Sequence, residues 1–108
     1  MSKVITLDYE GTKFELEMSR NSVMTMEANG FAADQIKAKP MTMIPELVYG
    51  AFTMHHPRVK RSLVDEIYAS IPDKEAFITA LVEMYTDTLD TLTATPENTK
   101  NVSWKMSN

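Results

Sequence analysis

Few residues of this chain are suited to chemistry. His55 and His56 are its only histidines. Neighbours on a helix diverge by about 100°, so the two rings do not readily share one ion. The i,i+4 histidine pair of a helical metal site is missing. The reading that fits is a pair at a helix C-terminus, where a cation suits the helix dipole. A pH-sensitive contact is the alternative. Glu83, Asp87 and Asp90 supply carboxylates, and Glu83 and Asp87 share a helical face. General acid–base work needs a concave site that drives two pKa values apart, and nothing in the sequence points to one. A solvated acidic face is the expectation. The glycines number only 3 and are scattered, so there is no phosphate loop. No GxSxG, HExxH or triad order can be assembled. No catalytic, cofactor or metal site is expected, and the chain reads as a non-enzyme.

Arg58, Lys60 and Arg61 form a short basic cluster. Two helices joined by a turn carrying basic residues are one form of DNA-binding unit. Three residues make no patch, however, and the net charge is −4. A solvated face or an acidic protein partner fits better. Trp104 is the only Trp and lies in a polar stretch. It is read either as an anchor for a groove on a partner or as a residue with no fixed place.

With 108 residues and 44% apolar composition, one domain with a modest core is expected. The absence of Cys excludes disulfides, thiolate metal sites and a Cys nucleophile, and suits a reducing cytoplasm. No signal peptide or bilayer-spanning run is apparent. Met is abundant, at 9 residues. Met fills irregular gaps in cores and also lines surfaces that accept variable apolar partners. Several of these Met fall on helical apolar faces, which favours the core.

The elements follow from periodicity. Residues 3–18 alternate as a β-hairpin, and a Glu10-Gly11 turn pairs Tyr9 with Thr12, Leu7 with Phe14 and Ile5 with Leu16. A helix runs from about Arg20 to Asn29, with Asn29-Gly30 as its C-cap and Phe31 folded back. Ala32 to Lys37 makes a short turn anchored by Ile36. A helix over Met43–His55 starts near Pro45, capped by Thr42 or Met43. Gly50 inside it costs about 1 kcal/mol relative to Ala, which suggests close approach of another backbone. Arg58–Ser70 is a third helix. The longest, Asp73–Leu92, is expected to organise the rest, with Phe77, Leu81, Met84, Tyr85, Leu89 and Leu92 on its stripe. The fold class is α+β: an N-terminal antiparallel hairpin, then about four helices in a small bundle. Residues 1–92 form the domain and 93–108 a flexible tail.

The order and spacing of segments over residues 3–92 resemble the tail assembly chaperones of long-tailed (siphovirus-type) phages and prophages of Gram-positive hosts. The most specific parts are RNS-x3-ME-x-NGF (Arg20–Phe31), YGAF-x2-HH (Tyr49–His56) and the long helix ending in TLDTL. None is a catalytic motif. The resemblance implies a chaperone of tail morphogenesis that binds the tape measure protein. It would keep that client soluble until the tail tube protein polymerises around it. The partners implied are the tape measure protein, with the tail tube protein as a second, and further copies of the chain. The place implied is the host bacterial cytoplasm, not the mature virion. Many such genes also yield a longer product by frameshifting near the end of the short reading frame.

Residue chemistry agrees with a holding role, because a Met-lined groove re-packs against many helical segments. The partner-binding candidates are Met24, Met41, Met43, Phe52, Met54, Met84 and Tyr85, about half of which are expected in the core. Neither nucleic acid nor membrane is an expected partner. Two other readings stand beside this one. One is a phage-encoded DNA-binding regulator using helices 43–70. The other is a structural tail-completion or head–tail joining protein.

Overall fold

The structure, a computed structural model, describes residues 3–94 and 102–107. It is an antiparallel hairpin followed by four helices. The strands are β1 (Ile5–Tyr9) and β2 (Thr12–Leu16); the helices are α1 (Arg20–Ala28), α2 (Pro40–Thr53), α3 (Arg61–Ser70) and α4 (Lys74–Asp90), with a 3-10 turn at Ala33–Gln35. The tail expected at 93–108 lies partly outside the described residues; among those described, 93–94 and 102–107 form no helix or strand.

The hairpin pairs as its alternation dictates, with Ile5 opposite Leu16, Leu7 opposite Phe14 and Tyr9 opposite Thr12. Glu10 and Gly11 both take positive φ, 50° and 82°, the geometry that matches the twist of the strands. Asp8 Oδ1 secures the turn by accepting from Gly11 N at 3.1 Å. Phe14 and Leu16 are buried, whereas Ile5, Leu7 and Tyr9 are only half-buried.

Serines set the start of α1. Ser19 Oγ accepts from Ser22 N, and Ser22 Oγ accepts from Ser19 N, so two helix-end donors are satisfied reciprocally. At its far end Gly30 N donates to Glu27 O and Phe31 N to Met26 O. Gly30 sits at φ 101°, which glycine adopts without a Cβ penalty. The reversal drops Phe31 into the core, edge-on to Tyr85 at 5.2 Å between centroids.

The helix expected over Met43–His55 spans Pro40–Thr53 instead. Pro40 takes the first helical position, where a missing N–H is harmless. Pro45 lies inside the helix. Its absent N–H leaves the Met41 carbonyl without its usual donor, at a residue 90% exposed, where water can serve. The third helix begins at Arg61, not Arg58. Pro57 and Arg58 occupy a turn, and Val59 N donates to His56 O. The long helix starts where expected, with Asp73 Oδ1 accepting from Ala76 N, although Asp73 adopts φ 52°. Lys74 Nζ donates back to the carbonyls of Ala69 and Ile71, placing a cation at the negative end of α3.

The centre of the fold is α2, not the long helix. It touches α1, α3, α4, β2 and the 3-10 turn. Leu47, Val48, Ala51 and Phe52 are fully or almost fully buried. Each large side chain among them contributes about 1.5–3 kcal/mol by leaving water. The apolar stripe expected over Asp73–Leu92 is covered only at its middle: Leu81, Met84 and Tyr85 are buried, while Leu89 is 37% exposed and Leu92, beyond the helix end at Asp90, is 67% exposed.

Tyr85 joins α4 to α1 by donating to Glu27 Oε2 at 3.2 Å. Burial, and then the Glu27 carboxylate, raise its phenol above the ordinary value of 10.0. The folded chain therefore keeps that proton to higher pH than the unfolded chain does. The associated stability is fully present below pH 10.0 and is lost as pH rises through the folded value. Denaturant midpoints measured from about pH 9 to 11 should fall, and less steeply in Tyr85→Phe. Tyr9, raised mainly by its hydrogen bond to Glu66, supplies a remaining slope.

Candidate functional site

The expected partner-binding residues divide by burial. Met43, Phe52, Met84 and Tyr85 belong to the core, at 6%, 0%, 2% and 6% exposure. The first two, with Tyr85, line neither groove described below and pack inside, in keeping with the expectation that about half of the candidates are core. Phe52 meets the edge of Phe14 at 5.6 Å, and Met43 Sδ accepts from Ala32 N. Met24, Met41 and Met54 are exposed at 63%, 90% and 40%. Met24 and Met41 line neither groove described below.

Two surface grooves meet at Ser19 and Met54. The first, about 470 Å³, runs between α1 and α2 over Met26 and Gly50, with Thr25, Asn29, Tyr49 and Thr53 along its sides. The second, about 300 Å³, runs over Met18 and Met84, between Lys3 and Arg20 and the last turns of α4. Methionine thus lines both: Met26 and Met54 in one, Met18, Met54 and Met84 in the other. Met18 and Met26 are missing from the candidates read off the sequence. Their places in the strand alternation and on the inner side of α1 mark them only as core. Their low exposure, 3% and 4%, agrees with that, and they form the groove floors from below.

Backbone geometry shapes the first groove. A Cβ on Gly50 would lie 2.4 Å from Met26 Sδ and 2.5 Å from its Cγ. The close approach expected at Gly50 is therefore that of a side chain, not of another backbone. Arg20 closes the second groove by donating to Thr91 Oγ1 at 2.9 Å and Thr91 O at 2.6 Å. Lys3 Nζ reaches Glu83 at 3.0 Å and Asp87 at 3.4 Å on its other side. These carboxylates raise the Lys3 pKa, the hydrogen bond to Glu83 first. The acidic face of the long helix thus holds Lys3, in the segment that leads into β1.

The histidines clasp β2 against α2. His56 Nε2 accepts from Glu15 N at 3.0 Å, and the ring packs edge-on against Phe14 at 5.1 Å. His55 Nε2 lies 2.8 Å from Glu17 Oε1. Glu17 N donates to Ala51 O. The two rings engage different partners, their centroids 6.5 Å apart. The basic cluster is divided. Arg61 turns back to Glu46 at 2.8 Å and stacks over Tyr49 at 4.8 Å, while Arg58 and Lys60 are exposed. The connector at 54–60 is longer than the roughly 3–4-residue turn of a helix-turn-helix. No helix of the described residues is long and apolar enough to cross a membrane.

Gly50→Ala combines a helix-propensity gain of about 1 kcal/mol with an overpacking cost of about 1–3 kcal/mol against Met26. Denaturant unfolding should show Gly50→Ala neutral to destabilising alone, but stabilising by about 1 kcal/mol when added to Met26→Ala.

No curated protein and no solved structure matches this chain. A family model does match, over residues 1–108, and its description is a domain of unknown function, DUF5055. The chain belongs to the DUF5055 family.

Proposed function

We propose that this chain is a non-enzymatic tail assembly chaperone of long-tailed phages, which binds the tape measure protein in the host cytoplasm and keeps it soluble during tail morphogenesis. The observation that carries the reading is the pair of methionine-lined grooves joined at Met54. Thioether side chains adapt their shape at little cost, so such a surface suits successive, non-identical apolar helical segments of a long client. The segments that resemble tail assembly chaperones also shape these grooves. Ser22 and Asn29 from the first, and Tyr49 and Gly50 from the second, line the α1–α2 groove. Exposed Met24 and Met41 add apolar surface outside it. Individually weak contacts gain strength when many copies line one extended client.

Co-expression tests the reading. A tape measure fragment should be soluble when made with this chain and insoluble without it. Met54→Glu places a charge at the groove junction of a side chain already 40% exposed. It should leave the unfolding midpoint nearly unchanged and weaken client binding at least about tenfold. Equal client solubility with and without the chain would end the proposal.

A further inference from the structure

Two features remain unused by the grooves: an open strand edge, and an apolar alternation near the C-terminus. The outer edge of β2 is covered, because Glu15 N donates to His56 Nε2 and Glu17 N to Ala51 O. Thr6 and Asp8 stand opposite Glu15 and Lys13 in the register. In an antiparallel ladder, partners of residues whose N–H points out of the pair also point out. The N–H and C=O of Thr6 and Asp8 therefore face away from β2. Among the described residues they have no backbone partner on that side. Exposed, unpaired edges of this kind template strand addition.

Beside this edge lies a cleft of about 470 Å³, walled by β1, Ile67, Ile71, Pro72 and Phe77. Ile5 and Leu7 on its strand side are only half-buried, as are Ile71 and Phe77 opposite. Val102, Trp104 and Met106 alternate with Ser103, Lys105 and Ser107, so an extended backbone puts all three apolar side chains on one face. They are 79%, 86% and 79% exposed.

We infer that residues 102–107 of one copy add as a strand to the open edge of β1 on a second copy, with Trp104 seated in the cleft. The periods match. With the apolar face of the incoming strand toward the cleft, its polar face lies on the side of Thr6 and Asp8. Lys105 then shares a face with the acidic Asp8. In the isolated chain the segment leaves its apolar side chains in water, while every further copy offers the same unoccupied edge. A tail-to-edge contact is heterologous, so it propagates into rings or open chains of subunits. One strand of this length buries less than the roughly 800 Å² per partner of a standard interface, so each link is weak. The inference rests on β1 and the C-terminal segment and is independent of the methionine grooves.

The chain has no Cys, so single cysteines report the contact without background. Chains carrying Thr6→Cys are mixed with chains carrying Ser103→Cys or Lys105→Cys under mild oxidation. A mixed disulfide should exceed that formed with Met41→Cys, an exposed control, and should drop at least about tenfold when Trp104→Ala is added to the donor. Sedimentation across concentration should show mass rising for the full chain and less so for Trp104→Ala or for Thr6→Pro, which removes an outward N–H. Three results would overturn the inference. One is mixed disulfide no greater than the control. Another is predominant Thr6→Cys homodimer, which indicates β1 pairing with β1. The third is self-closure of a Thr6→Cys/Ser103→Cys chain at high dilution, which indicates that the segment occupies its own edge.

Discussion

A helix with almost no charge has to be covered along most of its length, and beyond its exposed first residues α2 is at least half-buried throughout. In the 14 residues of α2, PMTMIPELVYGAFT, the single charged residue is Glu46. Leaving such a helix in water would forfeit most of the apolar burial open to a chain this small. The other elements can be understood as its covering. Helix α1 closes over Gly50, α3 and α4 pack on other sides, and β2 lies against its C-terminal end. Even the connections follow this need. The reversal at Gly30 returns Phe31 to the core, and His55 and His56 fasten the hairpin to the end of α2.

The grooves are a by-product of that covering. Met26 fills the space that the missing Cβ of Gly50 leaves, and its thioether becomes the floor of the α1–α2 groove. Met84 does the same beneath the second groove. The same residue type thus packs inward and presents a deformable upper surface, a dual role to which the unbranched side chain is well suited. Core and candidate binding surface are consequently not separable by residue identity. Exposure divides the methionines more usefully, with Met54 at the junction as the accessible member.

The hairpin could be read from the sequence to the level of register, because alternation with period 2 leaves one pairing that puts Ile5, Leu7, Phe14 and Leu16 on one face. The C-terminal end of α1 was equally readable from Asn29 and Gly30, whose roles are local. The limits of α2 and α3 were not. Pro45 reads as a helix start, but tertiary packing carries the helix through it from Pro40. Nor was the central element apparent. Length favours Asp73–Leu92, whereas the near absence of charge in α2 is the better sign of burial. Of the methionines that line the grooves, Met54 and Met84 were among the sequence candidates, whereas Met18 and Met26 were not, since their own elements mark them only as core. The histidine clasp on β2 was also beyond local reading, because His56 and Glu15 meet only through the tertiary fold.

Arg20 holds both the hydroxyl and the carbonyl of Thr91 from the first residue of α1. The exit of the polypeptide from the folded body is thereby anchored beside the second groove. Any peptide continuing past this point, of whatever length or composition, departs from one fixed address. Replacing the downstream stretch would change what is delivered beside the second groove without altering the platform that delivers it.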